Sequence, residues 1–323
     1  SIKSMFLKWY SDCCSEDLDN HYPIKHIQIF VENEKLNLND NLTKPFPLFN
    51  IMASDYLFSS FSKDLDNINK VINSDEELEF VFDNNEVIFK NYQISSKLII
   101  NTDFRFNKFL NLKPEREEKK EYDEFAVTAS FKTENNLENR AEQYFREAKI
   151  LAILPYADHE FSIVLSGLKK GDEKLLNDSG EKLINFINKH TNLRSVKLSS
   201  RINHFPLSFY KIKHDPKLRS LYIGDAGHRV HPLAGLGLNL GLGDIQMIDS
   251  LISDKRIIDP GQENFIKKYA ISRSIDESII MHLTDRLDEA LVNNSEVFSA
   301  LFKYPIKITE NSELLKKALV RMV

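Results

Sequence analysis

At 323 residues the chain is longer than one ordinary domain and shorter than three. Its 42% apolar residues, with 22 Phe and 11 Tyr, are enough for a sizeable core and exclude wholesale disorder. A net charge of −5 with acids and bases intermixed excludes the basic face of a nucleic-acid binder, and no run of about 18 apolar residues offers a membrane-spanning helix.

The pattern along the chain predicts short elements first. Residues 4–14 read as a helix with Met5, Phe6, Trp9 and Tyr10 on one side, and 24–31 alternate apolar and polar residues as a strand does. Residues 54–61 read as a helix capped by Ser54-Asp55. Strands are predicted at 68–72, 78–82 and 87–89, with Asn84-Asn85 as a hairpin turn between the last two. Residues 97–101 have a continuous apolar centre, expected of a buried strand. The charged run 113–121 is expected to be a solvated loop. β-like segments follow at 125–131, 141–145, 150–155 and 161–165, then a helix over 173–189 with Leu183, Ile184 and Ile187 on one face, and a strand over 196–205.

Leu221-Tyr222-Ile223 is a short buried strand running into Gly224-Asp225. Beyond it the chain reads as helical. Leu238, Leu242, Ile245, Ile248 and Ile252 form one stripe. A second helix is expected from Asp259-Pro260, with Asp as N-cap, Pro at the first helical position and Gln262 three residues after the cap. Its stripe is Phe265, Tyr269, Ile275, Ile279, Leu283 and Leu287, and a final helix is predicted over 312–322. Strands and helices mix rather than alternate, which predicts an α/β (mixed α+β) chain of two interleaved subdomains, a mixed-sheet body and a nucleotide-type α/β body. The N-terminus shows no secretory signal, and the only cysteines, Cys13 and Cys14, are neighbours that make a poor staple, so the cytoplasm is the expected compartment. The start at Ser1-Ile2-Lys3, without Met, is expected of a fragment.

The segment 224–244 carries the chemistry: Gly-Asp-Ala-Gly-His-Arg-Val-His-Pro-Leu-Ala-Gly-Leu-Gly-Leu-Asn-Leu-Gly-Leu-Gly-Asp. Asp225 stands at the C-terminal end of a buried strand, where ligands bind in open α/β sheets, and a carboxylate there accepts hydrogen bonds from ribose-like or ribityl hydroxyls. Gly235 and Gly237 let a backbone approach a ligand closely, and a helix starting near Leu238 aims its free N–H groups and positive dipole end at what lies before it. Other readings stay open on these residues alone. Gly235-x-Gly237-x-x-x-Gly241 is not the dinucleotide fingerprint, and such a pattern by itself more often serves close helix packing. His228 and His231 are spaced for a metal but lack a nearby Cys or carboxylate pair. There is no P-loop and no Gly-x-Ser-x-Gly elbow.

Gly-Asp-Ala-x-His-x-x-x-Pro-x-x-Gly-x-Gly-x-Asn-x-Gly-x-x-Asp resembles the second flavin-binding motif of FAD-dependent aromatic-ring monooxygenases of the para-hydroxybenzoate-hydroxylase fold, most of all the ubiquinone-biosynthesis hydroxylases. Leu151-Ala152-Ile153-Leu154-Pro155, Phe205-Pro206-Leu207, and Tyr269 with Arg273 and Asp276 resemble further motifs of that family in the same order. The resemblance implies an FAD-binding α/β domain interleaved with a mixed β-sheet substrate domain and C-terminal helices. It lays out 1–53 as mainly substrate-domain sheet and N-terminal helix, 54–115 as part of the FAD domain, 116–212 as substrate domain, 213–258 as FAD domain and 259–323 as C-terminal helices. It implies that Asp225 holds the ribityl chain with Gly224 beside it as a cofactor-binding residue, that Pro232, Gly235, Leu236, Gly237, Leu238 and Asn239 line the isoalloxazine edge, and that Asp103 belongs to the middle motif. No protein side chain is implied as catalytic: NAD(P)H supplies electrons through FAD, O₂ supplies the oxygen, and an aromatic or prenylated phenol receives it.

Three departures accompany the resemblance. The family opens with a βαβ unit bearing Gly-x-Gly-x-x-Gly, and this chain has no counterpart. At Thr102-Asp103-Phe104-Arg105-Phe106-Asn107 the family's Asp-Gly becomes Asp-Phe, so a different turn is expected. Gly227 and Leu236 replace the commoner Ala and Gln, both mild changes. Two other readings stand beside the monooxygenase: a non-catalytic scaffold that lost FAD, and a flavin reductase or oxidase of the same fold. A prenylated substrate also implies contact with a membrane on its cytoplasmic face or with a ubiquinone-pathway complex; Phe298, Leu301 and Phe302 are the candidates for that patch, with core packing as the alternative.

Overall fold

The computed structural model describes residues 2–13, 18–64, 80–83, 86–90, 94–103, 116–169, 171–172, 180–230, 236–254, 256–274, 278 and 304–322. In chain order, helix α1 (Ser4–Cys13) precedes strands β1 (Tyr22–Ile24), β2 (His26–Val31), β3 (Glu34–Asn39) and β4 (Phe49–Ile51), and helix α2 (Ser54–Asp64) follows. Next come β5 (Phe80–Asp83), β6 (Glu86–Phe89), β7 (Ile94–Ser96), β8 (Ile99–Asn101), β9 (Arg116–Lys132), β10 (Arg140–Arg146), β11 (Lys149–Ala157) and β12 (Glu160–Leu168). Helix α3 (Glu181–His190), β13 (Lys197–Leu198), β14 (Asn203–Ile212), β15 (Ser220–Tyr222) and β16 (His228–Arg229) lead to α4 (Leu236–Ile252). Helix α5 covers 263–274, and α6 (Tyr304–Glu310) and α7 (Glu313–Met322) complete the described chain.

The chain forms two compact units, each built from separated segments: Ser1–Asn69, Tyr122–Leu207 and Asp285–Val323 in the first, Lys70–Glu121 and Ser208–Thr284 in the second. In the first unit β12 pairs antiparallel with β9 and β11, β11 with β10, and β10 runs parallel to β2, which turns back into β3. Alternation along these strands sends Val127, Ala129, Phe131, Leu151, Ile153, Phe161, Ile163 and Leu165 to one face, where Leu183, Phe186 and Ile187 of α3 cover them. Ser130, Tyr156 and Ser162 fall on the alternate positions and line a hollow of about 790 Å³ with Tyr22, Ile51 and Ala53. Helix α6 lies on β3: the Glu310 carboxylate accepts the Asn37 N–H at 2.8 Å and its side-chain amide at 3.1 Å.

In the second unit β15 runs parallel to β8, with Leu221 opposite Ile100, while β5, β6 and β7 form an antiparallel meander. Leu221, Ile223, Ile248, Phe265, Ile266 and Tyr269 pack as one core, so α4 and α5 cover one face of the parallel pair.

Several expected elements change shape. The strand over 24–31 is broken at Lys25, and that over 196–205 splits into β13 and a β14 that continues to Ile212. Met5 is 74% exposed while Phe6 and Tyr10 are buried, so the buried side of α1 excludes Met5. Ile100 is 43% exposed, so β8 is buried on one face only. The charged run is not a loop throughout, because β9 already begins at Arg116; strand pairing uses backbone groups and tolerates charged side chains. Helix α4 begins at Leu236, and its buried face runs through Leu240, Asp244 and Ile248, leaving Leu238, Ile245 and Ile252 exposed. With leucine at every second position the apolar pattern there does not select a face. Helix α5 starts at 263, and the Asp259 carboxylate serves Gly261 and Arg219 rather than capping it. Ser312 caps α7 instead, its hydroxyl accepting the Leu315 N–H at 3.3 Å. The predicted strand at 68–72, the Asn84-Asn85 turn, the α5 stripe from Ile275 onward, and Phe298, Leu301 and Phe302 lie outside the described residues.

Candidate cofactor site

Strands β8 and β15 lie side by side and parallel, so their C-terminal ends open at the same edge. Two of the expected residues follow there: Asp103 comes just after Asn101, and Asp225 just after Tyr222. The Ile223 N–H donates to the Asn101 carbonyl at 2.9 Å, carrying the pairing one residue beyond β15. Asn101 also accepts the Asp103 N–H through its side-chain oxygen at 3.0 Å, an Asx turn that ends β8.

After Ile223 the chain turns sharply through Gly224, whose φ is +53°. Among the described residues a Cβ built on Gly224 meets nothing within 4 Å, so the turn faces open space on that side. The Asp225 side chain is exposed, and among the described residues its carboxylate accepts no hydrogen bond. The backbone around it is tied down on both sides. The Gly224 N–H donates to Asp244 Oδ2 at 2.9 Å, and the Tyr210 hydroxyl donates to the Asp225 carbonyl.

Asp244 is fully buried and joins three segments. Its Oδ2 also accepts from His228 Nε2 at 2.8 Å, and its Oδ1 accepts from Arg273 Nε at 2.6 Å. Arg273 in turn donates to the Leu240 carbonyl at 3.0 Å. Burial alone raises the Asp244 pKa, but the His228 hydrogen bond, the His228 and Arg273 charges and the Gly224 N–H outweigh it and hold the carboxyl below its ordinary range. Glycines of the motif make room for this cluster. A Cβ at Gly241 would stand 3.3 Å from the Gly224 Cα, and one at Gly243 3.2 Å from the Arg273 guanidinium. Gly241 thus serves close packing, as its spacing alone suggested. Gly227 is no mild change: a Cβ there would lie 2.3 Å from the Tyr222 carbonyl oxygen, so this backbone admits only glycine.

Of the other expected cofactor residues, Gly237 and Leu238 are exposed in the first turn of α4, where backbone N–H groups have no partner within the helix, and Leu236 opens that turn with Asn239 following half-buried. Pro232 and Gly235 lie outside the described residues, as does Phe104. The structure therefore brings Asp103, Gly224 and Asp225 to one sheet edge. Asp244, His228 and Tyr210 were not assigned roles from sequence; Asp244 closes the recognised motif, and a lone acid among Leu240, Leu242 and Ile248 was the signal available.

The chain is similar in sequence and in fold to known proteins. The chain is 22% identical over 260 residues to the ubiquinone hydroxylase UbiM of Neisseria meningitidis, covering 79% of this chain and 55% of that protein. It is 27% identical over 244 residues to the mouse mitochondrial ubiquinone biosynthesis monooxygenase COQ6, covering 62% of this chain and 50% of that one. The chain thus spans about half the length of the curated relatives it matches. Among solved structures, Klebsiella pneumoniae HpxO complexed with FAD and uric acid superposes with a TM-score of 0.69 at 13% identity, over 99% of this chain and 87% of that one. The p-nitrophenol 4-monooxygenase PnpA of Pseudomonas putida gives 0.69 at 11% identity, over 93% and 80%. These likenesses establish the fold. Because the FAD binding domain family matches residues 90–273, more than half of the chain, this chain belongs to that family.

Proposed function

We propose that the chain is part of an FAD-dependent monooxygenase that hydroxylates the ring of a prenylated phenol in ubiquinone biosynthesis, with NAD(P)H and O₂ as co-substrates. The observation that carries the flavin assignment is Asp225: an exposed acceptor with no protein partner among the described residues, held at the end of a parallel strand pair beside open space. That is the donor-and-acceptor chemistry a ribityl chain needs, so the residues present fit the cofactor. Asp225, beside Gly224, would hold the ribityl hydroxyls, and the first turn of α4 at Leu236, Gly237, Leu238 and Asn239, with Pro232 and Gly235 before it, would face the ring edge and favour negative charge there. Asp103 would contribute from the neighbouring strand. When bound, FAD supplies the redox and oxygen chemistry; the chain's own task is to bind, orient and keep water out.

In this reading the second unit carries the cofactor and the first carries the substrate. The hollow lined by Ser130, Tyr156, Ser162, Ile51 and Ala53 suits a phenol, with hydroxyls for its polar edge and apolar atoms for its ring. The names of UbiM and COQ6 support the choice of substrate class. A prenyl tail would bring the protein to a membrane surface or to partner enzymes; among the described residues no helix is long and apolar enough to cross a bilayer.

The test is NAD(P)H oxidation by the flavin-loaded full chain in air. The proposal expects stimulation by a prenylated phenol and a product with one added oxygen. Oxidation that no phenol stimulates, without oxygenated product, supports a reductase or oxidase instead, and absence of flavin binding supports a scaffold.

A further inference from the structure

We infer that Asp244 is a positioning residue for the cofactor: it fixes the 224–226 backbone so that the Asp225 carboxylate faces outward, with Tyr210 as its counterpart on the other side. This deepens the flavin reading and rests on it. Among the described residues the Asp225 carboxylate has no hydrogen bond or ion pair, so its direction is set by its backbone. That backbone is held at two points by separate elements. On the N-terminal side, Asp244 of α4 accepts the Gly224 N–H at 2.9 Å; on the C-terminal side, Tyr210 of β14 donates to the Asp225 carbonyl. Asp244 itself has no freedom. It is fully buried, accepts His228 on the same oxygen as Gly224, and accepts Arg273 on the other at 2.6 Å. Gly241 and Gly243 remove the side chains that would push the turn and the guanidinium away.

A packing role alone does not call for this chemistry. Burying a carboxylate is costly, and apolar groups of similar volume often stabilise a core as well or better. A buried acid with its oxygens committed to one turn, one imidazole and one guanidinium is instead a device for geometry. The turn it holds is the one that presents the free acceptor.

The test is a double-mutant cycle read by FAD fluorescence quenching, with thermal melting and amide exchange of 224–227 measured alongside. The variants of the full chain are Asp225→Ala, Asp244→Asn and Tyr210→Phe, singly and with Asp225→Ala. Asp244→Asn should weaken FAD binding about tenfold and Tyr210→Phe about threefold, the scale of one hydrogen bond to a charged and to a neutral group. In the Asp225→Ala background both effects should shrink to within about twofold, because the residue they position is gone. Exchange at 224–227 should rise while β11 and β12 stay protected. If Asp244→Asn does not fold, because Arg273 is left buried without its partner, Asp244→Asn with Arg273→Met removes both charges and Tyr210→Phe removes none. Effects that persist at full size in the Asp225→Ala background, or unchanged affinity in every positioning variant, overturn the inference while leaving the flavin reading intact. A wild-type chain that does not quench FAD overturns both.

Discussion

The Arg219 side chain shows how a single residue ties separated segments of the second unit together. Its guanidinium reaches both Asp259 oxygens at 2.6 Å and the Lys97 carbonyl at 3.0 Å, so it clamps the start of α5's approach loop to the entry of β8. Both members are nearly buried, with side chains 8% and 12% exposed. Removing one partner leaves the other charge uncompensated, which typically costs about 3–5 kcal/mol. Asp259→Ala should therefore lower stability by about 3 kcal/mol in urea unfolding, whereas Arg256→Ala, which breaks the exposed pair with Asp254, should cost under about 1 kcal/mol. Equal effects would contradict the assignment of the clamp. None of this was legible in the sequence, where Asp259 before Pro260 read as a helix cap. The same type of residue satisfies a helix end or a distant guanidinium, and only the fold decides between them.

At the scale of elements, the strand at Ser220 and the helix ending at Ile252 are readable because their punctuation is local: a short apolar strand, three glycines, then a leucine-rich helix. The face of that helix is not, since apolar residues surround it and the buried Asp244 marks the inward side. The charged start of β9 is not legible for a related reason, as pairing is decided by neighbouring strands and not by local polarity. His214, just after β14, carries a consequence for pH. Its ring lies edge-on to Tyr269 at 5.2 Å, and among the described residues its Nδ1 has no hydrogen-bond partner. Burial pushes its pKa down from 6.5 to about 4, against the pull of Asp244. The unfolded chain therefore takes up that proton first. His214 costs no stability above pH 6.5, and the cost grows as the pH falls from 6.5 to about 4. His214→Gln should flatten the fall in stability across that window, measured by urea midpoints; an unchanged slope would show that other groups set it.

For the molecule as a whole, two interleaved units were expected from the mixture of strands and helices, and two units of non-contiguous segments are found. Their joins were not legible, because β9 and β14 run on past the points where the periodicity weakens. The hollow of the first unit is not legible either: its wall is assembled from β4, β9 and the β11–β12 pair, three pieces far apart in sequence. Ala53 lines it and is exposed, so Ala53→Trp should narrow the hollow without disturbing the core. That variant should raise the KM for the phenol by about tenfold or more while leaving flavin affinity unchanged, as measured by steady-state oxidation and FAD titration.

Asp225 is the central residue of the flavin assignment. Equilibrium titration of FAD against the full chain and its Asp225→Ala variant, read by quenching of flavin fluorescence, tests it most directly. Saturable quenching by the wild-type chain, weakened about tenfold or more by Asp225→Ala, is the predicted result. Absence of quenching, or equal affinity in both proteins, would contradict it.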